Sequence, residues 1–250
     1  MRNIRLKLAL LVVLMCLAFA SAAVAVKPLV YKAEKTQEIR HEIKQFQANV
    51  KESTRTAQQQ AVSLPYGQLL EAMQYYNMNL YANSQRDLNS RSAYEVSQFK
   101  LTDYGVPDET FGIISIPKME LEMPLYLGAS NENMANGAAV LSQTSIPIGG
   151  NNTNAVIAGH RGYGGYSYFR YIELLEPGDE MTITNLWKTL KYTVTDIKIV
   201  TPDDVQSILI QPGKDMVTLL TCHPYASGGK YRYLVFCERV QEEHFWRNKK

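Results

Sequence analysis

The stretch Met216-Val-Thr-Leu-Leu-Thr-Cys222 decides how the fold is interpreted. It is aliphatic and β-branched along its length and contains neither Gly nor Pro, which is typical of a buried strand. His223-Pro224-Tyr225 then ends the strand. A cysteine at the tip of a rigid strand is held in place and still meets solvent, as a reactive thiol must. A cysteine packed in the core is the simpler alternative, because unpaired cysteines are usually buried.

The segments around this strand are short and either alternate or are continuously apolar. Further strands are predicted at 111–116, 121–127, 154–159, 180–184, 190–200 and 231–240, with a short helix over 168–175 and a loop over 201–215. About eight short strands in about 130 residues, with little helix, are typical of a closed or partly closed β-barrel. We therefore expect a mainly β fold, an eight-stranded barrel with short helices, preceded by N-terminal helices and a membrane anchor.

Length, charge and cysteine content exclude several classes of protein. The chain has 250 residues, enough for one or two domains, and a formal net charge of only +2. Because there is no dominant basic field, nucleic acid is not expected as a partner. The three cysteines, Cys16, Cys222 and Cys237, provide no disulfide framework. No cluster of His, Cys, Asp and Glu has metal-ligand spacing, so neither a metal nor another cofactor is expected.

The N-terminus carries a targeting signal. Basic residues precede an apolar run of 19 residues from Leu8 to Val26, roughly 28 Å as a helix at about 1.5 Å per residue. The basic flank predicts a cytoplasmic start, and therefore a single-pass membrane protein whose folded part is extracytoplasmic. Ala20-Ser21-Ala22 resembles a signal-peptidase site, so cleavage and release are the alternative. Met15 stands before Cys16 where a lipoprotein signal needs a small residue, which argues against lipidation.

Changes in composition divide the chain into four parts. These are a membrane anchor, an extracytoplasmic helical spacer with a lid-like region, a catalytic barrel and a polar tail, at 1–26, 27–105, 106–240 and 241–250. In the spacer, Ile39, Ile43 and Phe46 recur at helical spacing among charged residues. We expect a solvated stalk there, followed by a second helix over 68–83 and a loop over 83–108.

Three residues with complementary chemistry lie at the ends of different strands. His160 follows the strand at 154–159, Cys222 ends the next-to-last strand, and Arg232 lies near the start of the last one. A thiol attacks only as a thiolate and needs a basic or cationic neighbour. His160 can give a proton to a departing amine and take one from an incoming amine. Arg232, with a pKa above ~12, can only donate hydrogen bonds, for example to an oxyanion.

Each of these residues also has an alternative without a catalytic role. His160 is compatible with a structural histidine at a strand-to-turn junction, and Arg232 with a surface charge. His223 is a rival base, although neighbours on a strand point to opposite faces. Cys237 lies in mid-strand and is expected to pack in the core, with a redox link to Cys222 as the alternative.

Five segments follow one another along the chain: 112–118 (Gly-Ile-Ile-Ser-Ile-Pro-Lys), 137–150, 158–162 (Ala-Gly-His-Arg-Gly), 213–225 with Thr-Leu-Leu-Thr-Cys at its centre, and 231–235 (Tyr-Arg-Tyr-Leu-Val). In this order they resemble the sortases, the Gram-positive cysteine transpeptidases, and are most similar to class C, which polymerises pilins. Together they cover about 105–240. Five ordered matches are far more specific than any one of them.

The resemblance implies a sortase barrel and a cysteine transpeptidase. Cys222 would attack the Thr–Gly carbonyl of an LPxTG-like sorting signal and form a thioacyl-enzyme, His160 would be the acid and base, and Arg232 would stabilise the oxyanion or position the peptide. An amine would resolve the intermediate, a pilin lysine in class C or a cell-wall precursor in housekeeping enzymes. The loop 201–215 would help to form the groove for the signal. A cysteine peptidase that hydrolyses the same signal and a non-catalytic scaffold are the alternatives.

Two features depart from the class C pattern. Class C enzymes usually carry a lid with an Asp-Pro-aromatic triplet, whereas Arg86-Asp87-Leu88-Asn89 has neither Pro nor an aromatic residue. A lid closed over the site is therefore not expected. Many class C members also have a second, C-terminal membrane span, whereas residues 241–250 are polar. Both features weaken the expectation of pilus assembly and leave that of a transpeptidase unchanged.

Overall fold

Eight strands form the body of the computed structural model, which describes residues 2–60, 64–89 and 94–240. The strands are β1 Thr110–Ile116, β2 Leu121–Leu127, β3 Ala138–Val140, β4 Thr153–Ala158, β5 Glu180–Asn185, β6 Thr189–Val200, β7 Asp215–His223 and β8 Tyr231–Arg239. The α-helices are α1 Arg2–Gln59, α2 Gly67–Ala82 and α3 Asn131–Asn136. The expected polar tail at 241–250 lies outside the described residues.

The strands close into one barrel in the order β1-β2-β3-β4-β7-β8-β6-β5, and β1 pairs with β5. Two neighbouring pairs, β2–β3 and β4–β7, are parallel, and the other pairs are antiparallel. The expected eight-stranded barrel is confirmed. Because β4 and β7 are parallel, they end at the same edge of the sheet, which places the segment after β4 beside the end of β7.

Alternation along β7 and β8 separates the inside of the barrel from the outside. Val217 and Leu219 are fully buried in the main core, together with Val235 and Cys237 of β8. The residues between them point outward, and the last of these on β7 is Cys222, which is exposed. The period of two in the sequence therefore sets which face each side chain occupies.

The C-terminal half of α1 packs on the barrel. Ile39, Ile43 and Phe46 are buried in the same cluster as the barrel core. Lys35 Nζ donates a hydrogen bond to Asn136 Oδ1 at 2.9 Å, which ties the helix to the end of α3. The expected solvated stalk is therefore wrong for this segment, because the apolar stripe of α1 covers apolar barrel residues that would otherwise face water.

The first half of α1 is different in character. Among the described residues it belongs to the one helix that is long and apolar enough to cross a membrane. Its large side chains, from Leu10 to Val30, are exposed to the surroundings. Pro28 lies within this helix, just after the apolar run ends at Val26. One continuous helix thus connects the apolar run to the barrel surface.

Candidate active site

Cys222 lies near the end of β7, directly opposite Arg232 on β8. A Cβ placed on Gly229 would be 3.2 Å from both the Cys222 Sγ and the Arg232 Nη1. The sulfur and the guanidinium are therefore close neighbours on the outer face of the barrel. A cation in this position can stabilise negative charge on an oxygen that forms next to the sulfur.

The guanidinium of Arg232 is held by the backbone around it. Its Nη1 donates to the carbonyl of Gly229 at 2.8 Å and to the carbonyl of Tyr231 at 3.1 Å. The side chain is partly buried, which reduces the screening of its charge by water. With one nitrogen occupied by the loop before β8, the other donors of the guanidinium can reach a substrate oxygen.

The backbone of His160 is positioned by the parallel ladder between β4 and β7. This ladder pairs Ala158 with Leu220. Two hydrogen bonds of Gly159 extend it. The Gly159 carbonyl accepts from Thr221 Oγ1 at 2.6 Å, and the Gly159 N–H donates to the Leu220 carbonyl at 3.1 Å. His160 therefore follows β4 at the same edge of the sheet at which Cys222 lies near the end of β7.

Two tyrosines orient the His160 ring. Tyr163 stacks on it with 4.9 Å between ring centroids and 21° between planes, and Tyr168 meets it edge-on at 5.7 Å and 85°. The backbone carbonyl of His160 accepts from the Phe169 N–H at 2.9 Å. Burial lowers the pKa of the His160 imidazole. The neutral ring is therefore favoured near pH 7, in the form that can accept a proton from a thiol or an amine.

His223, the rival base, faces away from the Cys222 thiol. Its Nδ1 lies 3.1 Å from Glu173 Oε1, and the same carboxylate oxygen is 2.8 Å from Arg161 Nη2. Its ring packs near Tyr233, 5.5 Å between centroids. Since Tyr233 faces the core whereas Cys222 is exposed, His223 belongs to a structural cluster beneath the site. The expected opposite orientation of neighbouring strand residues holds here.

Cys237 is a core residue. It is fully buried, and burial raises the pKa of its thiol to about 12. It pairs with Val217, five ladder positions from Cys222, or about 17 Å at roughly 3.4 Å per residue. A disulfide needs Cα atoms within about 7 Å, so the alternative of a redox link between these two cysteines is excluded.

A groove of about 400 Å³ leads along the outer face of the barrel to Arg232. Its apolar lining includes Leu141, Leu220 and Leu234, and the segment 200–208 forms one side. This segment belongs to the loop 201–215 that was expected to form a peptide groove. Its lining also includes the polar residues Glu95, Thr201 and Asp204, so the groove can bind both the apolar side chains and the polar backbone of a peptide.

The lid-like segment covers one side of this groove. Its 3₁₀-helix at Arg86–Asn89 places Leu88, which is 1% exposed, in the same apolar cluster as Leu141 and Leu234. The hydroxyl of Tyr94 donates to the Leu88 carbonyl at 2.5 Å. Leu88 therefore packs beside the groove, whereas Cys222 is exposed, and the expectation that no lid closes over the site stays a prediction. The Asp87 side chain lies outside the described part of the chain.

Several residues that shape the site were not identified from the sequence. They are Tyr163 and Tyr168, which hold the His160 ring, and Glu173, which pairs with Arg161 and His223. The run Gly162-Tyr-Gly-Gly-Tyr166, which begins two residues after His160, was the available signal, since it predicts a tight turn that brings an aromatic residue back towards the histidine. Nothing comparable in the sequence marks Glu173.

Comparison with known proteins assigns the chain to a family. A family model described as "Sortase domain" matches residues 114–240, and the chain belongs to the sortase family. It is 36% identical over 115 residues to sortase A of Streptococcus agalactiae serotype III (strain NEM316), which covers 44% of this chain and 46% of the relative. The chain spans about half the length of the curated relatives it matches.

Solved structures of sortase C share the fold. "Sortase C1 of GBS Pilus Island 1" superposes with a TM-score of 0.66 at 27% identity, covering 82% of this chain and 94% of that one. Sortase C from Clostridium perfringens SM101 superposes with a TM-score of 0.58 at 32% identity, covering 71% and 90%. Because the first match covers more of the chain than the family model does, the likeness extends beyond the barrel into the N-terminal region.

Proposed function

We propose that the protein is a cysteine transpeptidase that cleaves an LPxTG-like sorting signal and transfers it to an amine. The single observation that carries the proposal is the juxtaposition of the Cys222 sulfur and the Arg232 guanidinium, which also lines the groove. A nucleophile beside a fixed cation is what acyl transfer requires, because the tetrahedral intermediate carries a negative oxygen.

The reaction proceeds in two balanced steps. Neutral His160 first takes the proton of the Cys222 thiol. The thiolate adds to the Thr carbonyl carbon, Arg232 donates to the resulting oxyanion, and the Thr–Gly bond breaks as protonated His160 gives its proton to the departing glycine amine. A second amine then attacks the thioester while neutral His160 takes its proton, and the thiolate leaves. That proton returns to the thiolate, which restores the thiol and the neutral imidazole.

The groove supports the substrate class. Its leucine side chains suit the Leu-Pro part of the signal, and Arg232 suits the reacting carbonyl. Leu88, which packs at the edge of the groove, has the same side chain as the first residue of the signal. The lid therefore competes with the peptide for apolar contacts, and the signal must displace it to bind.

The acceptor that we propose is a pilin lysine, in line with the titles of two matched structures, "Sortase C1 of GBS Pilus Island 1" and "Pilus-related Sortase C of Group B Streptococcus". Each superposes on more than two thirds of this chain. A cell-wall precursor amine is the alternative acceptor, as expected for a housekeeping enzyme. Water is the third, and would make the protein a hydrolytic cysteine peptidase.

The setting that we propose is the outer surface of the cell membrane. The apolar half of α1 is long enough to span a bilayer, and the basic residues that precede it favour a cytoplasmic N-terminus. The barrel would then face the outside, where sorting signals and cell-wall precursors meet. Cleavage after Ala22 would release the barrel instead, and the intact mass of the protein from membranes distinguishes the two.

Product analysis tests the reaction. The full-length protein is incubated with an LPxTG-type peptide, with and without a pilin-derived lysine peptide or a cell-wall precursor amine, and the products are identified by mass spectrometry. We expect a branched peptide in which the acceptor amine is joined to the Thr carbonyl. Only free acid with every acceptor would contradict transfer and support hydrolysis. No cleavage at all, with a Cys222→Ala variant that behaves identically, would favour a scaffold.

A further inference from the structure

The turn at 163–166, which follows His160, contacts the middle of α1 at Pro28 and Tyr31. Gly164 and Gly165 form its tip, and Tyr163 and Tyr166 close it through two backbone hydrogen bonds of 3.1 and 2.9 Å. A Cβ on Gly164 would lie 2.4 Å from the Tyr31 ring, and one on Gly165 would lie 3.0 Å from the Pro28 carbonyl oxygen. Both glycines have positive φ, so the turn fits against the helix only without side chains there.

These contacts fix the height of the turn above the apolar run. Pro28 and Tyr31 are two and five residues beyond Val26. At about 1.5 Å per residue they lie roughly 3 and 7.5 Å above the end of that run. The headgroup layer on each side of a bilayer is about 5–7.5 Å deep. If α1 spans the membrane, the turn lies at the level of the lipid headgroups.

The barrel cannot rotate away from the apolar part of α1, because the C-terminal part of the same helix packs on the barrel. Ile39, Ile43 and Phe46 are buried at the contact, and Glu42 accepts from Thr110 Oγ1 at 3.1 Å and from the Tyr126 hydroxyl. The helix and the barrel therefore form a continuous body. The membrane that holds the helix also holds the barrel in one orientation.

The surface next to the turn has the chemistry of a membrane interface. Tyr163, Tyr171 and Tyr225 are 53%, 49% and 49% exposed. The guanidinium carbon of Arg170 lies 4.4 Å from the Tyr225 ring centroid and 5.9 Å from that of Tyr171. We call these four residues the tyrosine rim. Tyrosine is enriched where membranes meet water, and arginine binds phosphate, so the rim matches both layers of a lipid surface.

We propose that the tyrosine rim and the turn 163–166 rest in the headgroup layer of the membrane that anchors α1, so that the active site opens at the lipid surface. The occupant is lipid, with Arg170 on a headgroup phosphate and the tyrosine rings at the boundary with the acyl chains. Since Tyr163 stacks on the His160 ring, the site would receive peptide segments that lie next to the membrane. The proposal rests on the membrane anchorage included in the proposed function.

Fluorescence quenching of the full-length chain in vesicles tests the surface. Vesicles of phosphatidylcholine and phosphatidylglycerol carry a nitroxide on part of the phosphatidylcholine headgroups. Tyr163→Trp and Tyr171→Trp place a probe on the rim. Leu64→Trp is the matched control, because Leu64 is 43% exposed and lines a groove with Ser53 and Thr56. Those two residues are about 40 and 45 Å beyond Val26 along α1, at roughly 1.5 Å per residue.

We expect the nitroxide to remove at least half of the fluorescence added by a rim probe and almost none of that added by Leu64→Trp. Stronger quenching of either rim probe than of the control probe supports the proposal. A single rim variant that folds poorly therefore does not decide the test. Equal quenching at all three positions overturns it. Flotation of the same vesicles reports anchorage separately: if the protein does not float with lipid, the proposed anchor fails, whereas floating protein with unquenched rim probes rejects only the surface.

Discussion

The two faces of the β7–β8 strand pair each carry a cysteine, and their surroundings are opposite. On the outer face Cys222 is exposed, and its sulfur lies next to the Arg232 guanidinium. On the inner face Cys237 is fully buried and packs with Val217 and Val235 in the core. Both thiols belong to the same hydrogen-bonded ladder. The comparison teaches that the direction of the side chain, set by the period of two, separates a reactive thiol from a packing residue.

Exchanging each cysteine for alanine should have the largest and most unequal effect. Cys222→Ala removes the nucleophile and should lower the rate of sorting-signal cleavage by on the order of 10⁴-fold or more, with unchanged stability. Cys237→Ala should leave the rate within about twofold and lower the free energy of unfolding by about 1–2 kcal/mol through the small cavity it creates. Cleavage assays and denaturant titrations measure both. Comparable loss of activity in the two variants would contradict the assignment.

Alkylation should separate the same two thiols without any mutation. At about pH 8 a thiol whose pKa is near 12 is ionised in only about one molecule in ten thousand, and Cys237 is also enclosed by the core. We expect iodoacetamide to modify Cys222 at least about 10³-fold faster than Cys237 in the folded protein. Peptide mapping measures the ratio. Unfolding in guanidinium should abolish the difference, and a difference that persists would show that burial is not its cause.

Replacing Arg232 tests the role of the β8 residue that lies opposite Cys222. Arg232→Lys keeps the charge but loses the fixed planar donors, so the rate of cleavage should fall by on the order of 10²–10³-fold, with little change in KM. Arg239→Lys is the matched control on the same strand, where Nη1 donates to the Lys191 carbonyl at 3.1 Å. An equal effect of the two substitutions would mean that Arg232 only stabilises the strand pair.

The smallest expected effect concerns the lid. Leu88→Ala removes most of an apolar side chain that packs against the groove, which should favour the open state and raise cleavage by about three- to tenfold at low peptide concentration. Leu64→Ala, at an exposed leucine, should change nothing. A reduced rate in Leu88→Ala would show that Leu88 supports the groove and does not compete with the peptide.

Much of the barrel could be predicted because its strands are regular. The strand that ends at Cys222 and the one that begins at Tyr231 were predicted from apolar runs and turn residues. The strand β3, Ala138–Val140, was not, because three small apolar residues have no measurable period. The parallel pairing of β4 with β7 could not be predicted either, since it depends on long-range closure of the barrel.

The segments that pack on the outside of the barrel, α1 and the lid-like segment, were predicted less well, for a physical reason. The apolar stripe of α1 is weak, and the sequence does not show that the barrel offers a surface for it to cover. Leu88 lies in a polar segment, where one aliphatic residue carries no periodic signal, yet it is 1% exposed. Neither contact could be predicted, because burial of an isolated apolar residue is decided by its tertiary partner.

Detection of an acyl group on Cys222 tests the central claim most directly. The full-length protein is mixed with an LPxTG-type peptide without an acceptor amine, stopped in acid, digested and analysed by mass spectrometry. We predict that the peptide fragment ending in Thr is attached to Cys222 as a thioester, and that hydroxylamine removes it. The fragment on any other residue, or undiminished cleavage by Cys222→Ala, would contradict the account.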